Sequence, residues 1–141
     1  VWAPSNFTSV AYKGAQFNAA MKVMDKTNIS LNYMYLDANF SLDEGIETKY
    51  AFEHARHRLV GQISYQWTKT FSTLLAGRYV HRFIGTNYTL FDLRLNWNLR
   101  ENVSMTADIT NLLNRKYIDS GFVEMPGRWY RIGFKFNLNN K

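Results

Sequence analysis

The sequence predicts an all-β chain of antiparallel strands that forms part of the wall of a transmembrane β-barrel. Three observations carry this. Period-two alternation of apolar and polar residues runs from residue 8 to residue 138, with no competing helical period. The connections between alternating segments sort into a short and a long class in turn. Aromatic residues make up 16% of the chain and collect near segment ends on one face.

Seven segments follow in order. Residues 11–23 set Phe17, Met21 and Val23 on one face. Residues 27–36 set Ile29, Leu31, Tyr33 and Tyr35 against Asn28, Ser30 and Asn32, and residues 57–68 set Leu59, Ile63, Tyr65 and Trp67 against Gln62, Ser64 and Gln66. In residues 71–83 the contrast is weaker, because Leu74 and Val80 share the polar face with Arg78 and Arg82. Residues 88–99 are the clearest, with Phe91, Leu93, Leu95, Trp97 and Leu99 opposite Asp92, Arg94, Asn96 and Asn98. Residues 103–110 place Val103, Met105, Ala107 and Ile109 against Ser104, Thr106 and Asp108; residues 129–138 place Tyr130, Ile132, Phe134, Phe136 and Leu138 against Arg131, Gly133 and Lys135. Side chains alternate across a strand, so each segment has one apolar and one polar wall, as a boundary between lipid and a wet lumen requires.

The short connections are residues 24–26, 68–70 and 100–102; the others are 37–56, the brief 84–87, and 111–128. Short periplasmic turns facing longer extracellular loops are the asymmetry of outer-membrane barrels, and a soluble sandwich has no reason to sort its loops this way. Trp67, Phe71 and Trp97 then lie on outward faces by the short turns, with Tyr35, Tyr79, Phe83 and Tyr130 by the long loops, two girdles at headgroup depth. Single-chain bacterial barrels have even strand numbers from eight upward, and an open edge is untenable in lipid. The expectation is that earlier strands precede Val1. The absence of a basic, then apolar, then small-residue leader at the start agrees with it.

Composition removes other classes. There is no cysteine, hence no disulfide or thiolate metal site. Mean hydropathy is −0.34 and no apolar run reaches the roughly 18 residues of a membrane helix. The net charge of +6 comes from scattered residues such as Lys13, Lys26, Lys69 and Arg100, without the clustered patch that nucleic acid requires, so no nucleic-acid partner is expected. No Ser-His-Asp set, nucleotide loop or zinc-protease motif occurs, and the chain is not expected to be an enzyme. Five Asn-x-Ser/Thr sites begin at Asn6, Asn28, Asn39, Asn87 and Asn102 and read as polar lumen and turn residues.

The stretch Ile109-Thr110-Asn111-Leu112-Leu113-Asn114-Arg115-Lys116-Tyr117, followed by Pro126-Gly127-Arg128-Trp129-Tyr130-Arg131-Ile132-Gly133-Phe134-Lys135-Phe136, resembles the end of TonB-dependent outer-membrane receptors. The motif residues are Asn111, Leu112, Asn114, Tyr117, Pro126, Gly127, Arg128, Gly133 and Phe136; Leu113 stands where an aromatic is commoner. Tyr12-Lys13-Gly14-Ala15-Gln16-Phe17 and Leu31-Asn32-Tyr33-Met34-Tyr35-Leu36-Asp37-Ala38 resemble earlier strands of the family, with Gln16 in place of its usual glutamate. Within the family the cobalamin-transporter branch is the most similar. The resemblance implies that residues 1–141 are the last seven strands of a 22-stranded barrel. It also implies an N-terminal plug, energy from a TonB complex acting through that plug, outer-membrane lipid and lipopolysaccharide around the barrel, and import of a large scarce nutrient such as cobalamin, a ferric siderophore or haem. No cofactor is implied.

Candidate ligand contacts are the outer-loop residues Tyr50, Phe52, His54 and Phe122. His54 and His57 lie at i and i+3, a ligand spacing on a helix, but in a strand that spacing points them to opposite faces, so no metal site is expected; His81 stands alone in the sequence. Asp37, Asp43, Glu44 and Glu47 lack the order of a calcium loop and read as a solvated outer loop. The inward charges Arg78, Arg82, Asp92, Arg94, Asp108, Arg131 and Lys135 are expected to pair across neighbouring strands. Two other functions fit the residues alone: a barrel acting as an adhesin or surface-binding protein, and a soluble ligand-binding β-sandwich.

Overall fold

The computed structural model describes residues 10–40, 54–83, 85–119 and 123–138. They form seven strands: β1 (Val10–Met24), β2 (Thr27–Phe40), β3 (Ala55–Gln66), β4 (Phe71–Arg82), β5 (Tyr88–Arg100), β6 (Val103–Thr110) and β7 (Trp129–Phe136). All pair antiparallel with their chain neighbours in a single sheet of order β1-β2-β3-β4-β5-β6-β7. No second sheet packs on it among the described residues.

Register fixes which side chains share a face. The row Asn28, Ser64, Leu74, Arg94, Asp108 and Arg131 runs across six strands, and the next residue along gives Ile29, Ile63, Leu75, Leu93, Ile109 and Tyr130. The sheet therefore has a mainly polar and a mainly apolar face, with Leu74 the apolar member of the first row. Large side chains of the apolar face lie open: Phe17 is 57% exposed, Ile63 47% and Phe134 59%. An open apolar face opposite a polar one is the arrangement of a transmembrane barrel wall. Among the described residues a compact apolar cluster, Val80, Tyr88 and Leu90 with Ala55 and Tyr117 against it, lies on the opposite, polar face near the long loops.

Most strand ends fall within two residues of the sequence reading, β3 and β7 closing at Gln66 and Phe136 rather than at residues 68 and 138; two differences are structural. β2 continues through Asp37 to Phe40, because its ladder with β1 runs on from Lys13↔Asp37 to Val10↔Phe40. Backbone pairing continues there after side-chain alternation has ceased to mark it. β3 begins at Ala55, where a bulge between Ala55 and His57 adjusts its pairing with β4.

The turns are locally determined. Asp25-Lys26 and Glu101-Asn102 are two-residue turns, each beside a bulge in the adjoining ladder. Between β3 and β4, Thr68 Oγ1 accepts the backbone N–H groups of Thr70 (3.2 Å) and Phe71 (3.0 Å), and the Trp67 N–H donates to the Phe71 carbonyl at 3.0 Å. Trp67 Nε1 donates to Thr73 Oγ1 at 3.0 Å, and Phe71 meets Trp97 edge-on at 6.2 Å. The aromatic residues of this rim are thus held in place by the turn and by each other.

Candidate functional site

On the polar face the central feature is Asp108, a buried carboxylate held by two guanidinium groups. Arg94 Nε donates to its Oδ1 at 2.6 Å, and Arg131 donates to its Oδ2 from Nη2 at 2.7 Å and Nε at 3.0 Å. β5, β6 and β7 each supply one member, so the triad ties three strands through ionic hydrogen bonds. The expected cross-strand pairing is realised here, but other inward charges find different partners. Asp92 Oδ1 accepts the backbone N–H of Asn111 at 2.8 Å, and Arg82 pairs with Asp119 at 3.0 Å in the long connection. Arg78 Nε is buried without a hydrogen-bond partner among the described residues.

The rim at the long-loop end is built by the connection from β6 to β7. Asn111 and Asn114 both adopt left-handed backbone conformations (φ 50° and 51°), which asparagine tolerates better than most residues. Asn111 Nδ2 donates to the Arg115 carbonyl (2.7 Å), while the Arg115 N–H donates to Asn111 Oδ1 (2.9 Å), closing a ring of side chain on backbone. The Asn114 N–H donates to the Asn111 carbonyl at 2.8 Å, and the Leu112 N–H reaches the Phe91 carbonyl on β5 at 2.7 Å. Asn114 Oδ1 then accepts the N–H of Arg128 at 2.8 Å. A Cβ at Gly127 would sit on that same Oδ1, so glycine is what lets the two stretches approach.

The two halves of the closing motif are therefore one unit, although many residues separate them in sequence. Tyr117 continues it, packing its ring on Tyr88 at 4.7 Å. Beside it Asp119 accepts hydrogen bonds from the Tyr88 hydroxyl and the Arg82 guanidinium. The connection is pinned to β4 and β5 across the polar face. Gly133 and Phe136 stand apart from this unit, on β7, with Phe136 paired to Val103 near the opposite rim.

Of the candidate ligand contacts, Tyr50, Phe52 and Phe122 lie outside the described residues, as do Asp43, Glu44 and Glu47. His54 is half-buried at the rim, edge-on to Tyr12 at 5.8 Å and stacked with Phe83 at 6.1 Å. Arg56 lies over the same Phe83 ring at 5.5 Å and pairs with Asp37 at 3.3 Å. His54 thus belongs to an aromatic and ionic cluster joining the ends of β1 to β4. His81, isolated in the sequence, is next to His57 across the β3–β4 ladder, with ring centres 5.5 Å apart. His57 Nδ1 lies 2.8 Å from the Tyr33 hydroxyl. Only cross-strand register could reveal this pair, since nothing in the spacing of residues 57 and 81 signals it.

No protein-family profile matches the sequence, and no characterised protein matches it by sequence. The fold does match solved structures. Over 90% of the chain it is similar to the siderophore receptor PiuA from Acinetobacter baumannii (TM-score 0.72, 19% identity, 22% of that chain). It is likewise similar to the ferric-catecholate import receptor Fiu from E. coli K12 in its closed form (TM-score 0.71, 14% identity, 21% of that chain). A third match is the copper transporter OprC (TM-score 0.70, 14% identity, 23% of that chain). The chain thus spans about a fifth of the length of the structures it matches. Its seven-stranded sheet has the fold of a barrel wall in TonB-dependent receptors.

Proposed function

We propose that the chain forms the last seven strands of a TonB-dependent transporter barrel in the outer membrane of a Gram-negative bacterium. In this reading the whole protein imports a large scarce nutrient, a ferric siderophore, cobalamin or haem. The observation that carries the proposal is the joining of Asn111, Asn114, Gly127 and Arg128 into one hydrogen-bonded unit at the end of a barrel-wall fold. Asn111, Asn114, Gly127 and Arg128, four of the residues that carry the resemblance, set this geometry. The relatives are described as handling siderophores, a ferric catecholate and copper, which favours an iron complex over cobalamin as cargo.

The apolar face then meets lipid, with lipopolysaccharide at the long-loop rim, and the polar face meets water and a plug through which TonB acts. Such a protein needs no catalytic group, because the work is done by binding at the outside and by force from within. Uptake of radiolabelled ferric catecholate, cyanocobalamin and haem by cells with and without the gene, each in the presence and absence of TonB, tests the proposal. Loss of uptake of one of these on removing either gene or TonB is expected; undiminished uptake of all of them in both deletions refutes it.

A further inference from the structure

The apolar face changes character near the long-loop rim. Through the middle of the sheet its rows are mainly apolar, but one cross-strand row reads Ala15, Tyr35, His57, His81. His57 and His81 stand directly opposite each other on β3 and β4, and alternation puts both on the face of Ile63 and Leu75, away from the polar wall. The next positions on this face of β1 and β2 are Lys13 and Asp37, and Asp37 pairs with Arg56 at 3.3 Å. Charged side chains at this level mark the wet side of the membrane boundary, where a hydrated cation has access.

The two imidazoles are spaced as a chelating pair. A ring nitrogen about 2.0–2.1 Å from a metal ion puts the ring centre roughly 3.2 Å from it, so two imidazoles bound at a tetrahedral angle have centres about 5 Å apart. The centres of His57 and His81 are 5.5 Å apart, with the planes inclined at 51°. The His57 ring is also held in orientation. Tyr35 packs against it at 5.1 Å and Tyr33 at 6.2 Å, and the Tyr33 hydroxyl lies 2.8 Å from Nδ1. That contact occupies Nδ1 and leaves Nε2 for a metal; an imidazole that donates its other N–H to an outer oxygen is the usual arrangement around bound metals. No third His, Cys, Asp or Glu joins the pair among the described residues, so water completes the coordination. Imidazole nitrogens select Zn(II), Ni(II) or Cu(II) over Mg(II) and Ca(II), which take oxygen ligands.

Backbone pairing runs out at the same corner. A bulge between Ala55 and His57 interrupts the β3–β4 ladder, the β2–β3 ladder ends at Tyr35↔His57, and the β4–β5 ladder ends at Val80↔Tyr88, one residue short of His81. We propose that His57 and His81 form a two-histidine site for a divalent cation of the Zn(II), Ni(II) or Cu(II) class, and that the bound ion clamps β3 to β4 at this rim. The site faces away from the polar wall, so the ion is structural rather than cargo, and the inference is independent of what the barrel carries.

Full-length receptor purified in detergent, with Cu(II) and Zn(II) as probes, tests the proposal. Electron paramagnetic resonance is expected to show one equivalent of Cu(II) with two nitrogen ligands in the wild type. His57→Gln and His81→Gln, which keep a polar side chain, should each lose that equivalent. Tyr33→Phe removes a positioning hydroxyl; it should keep the two-nitrogen signal and weaken Zn(II) binding about tenfold. Zn(II) at about ten times its dissociation constant should slow amide exchange at residues 55–58 and 79–82 about tenfold in the wild type and leave it unchanged in His81→Gln. Mg(II) should give no protection. Heat-modifiable gel mobility checks that each variant is assembled, and the exchange measurement on the wild type needs no variant. Cu(II) binding unchanged in both assembled variants, or exchange at these residues that Zn(II) leaves unaltered in the wild type, overturns the proposal.

Discussion

The two rims of the sheet are held by different means. At the short-turn rim, each connection is closed by its own residues: Thr68 Oγ1 accepts from positions two and three further on, and the other two turns need only two residues each. At the long-loop rim, order depends on partners distant in sequence, Asn114 with Arg128, Tyr117 with Tyr88, Asp119 with Arg82. A locally closed turn can form as its strands form and loses little when one group is removed. A rim made of distant contacts is cooperative, so one substitution removes several contacts together.

This difference sets an order of effects. The largest is expected for Asn111→Ala, which removes both side-chain bonds to Arg115 and places alanine at φ 50°, for a loss of about 3 kcal/mol. Asn111→Gly keeps the backbone conformation and should lose about half as much. Urea unfolding of the full receptor in detergent, followed by tryptophan fluorescence, measures both; equal losses would show that backbone conformation contributes nothing.

Gly127→Ala comes next. Its methyl must displace Asn114 Oδ1 and break the bond to the Arg128 N–H, for about 1–2 kcal/mol in the same assay. Asp119→Ala should leave global stability within about 1 kcal/mol yet release the connection from Tyr88 and Arg82. Limited proteolysis detects this as faster cleavage within residues 111–128; an unchanged cleavage rate would mean that the Tyr117–Tyr88 contact alone holds the segment. Smallest is Thr68→Ala at the opposite rim, expected to cost about 0.5–1 kcal/mol. A cost equal to that of Asn111→Ala would abolish the distinction between the rims.

The strands were legible because one property repeats along them. In β5, Phe91, Leu93, Leu95 and Trp97 alternate with Asp92, Arg94 and Asn96, and period two leaves no other element to consider. The end of β2 was not legible, since pairing at Asp37 and Ala38 is sustained by the backbone of β1, and Asp37 reads as loop by composition. The closing motif was visible as a pattern, but its physical content, two left-handed asparagines bonded across a long connection, appears only in three dimensions. The neighbouring His57 and His81 depend on register, which no single strand encodes. Of the loop contacts, His54 alone falls within the described residues, and it is engaged with the rim.

The meander order has a consequence for biogenesis. Every ladder joins neighbours in the chain, so the sequence in which strands leave the ribosome is also the sequence in which they sit side by side. Each strand, once in place, is the template for the next, and each doubling of an intervening loop adds only about 0.6 kcal/mol to closing it. The outer loops can therefore lengthen and diversify while the zippering of the wall stays unchanged.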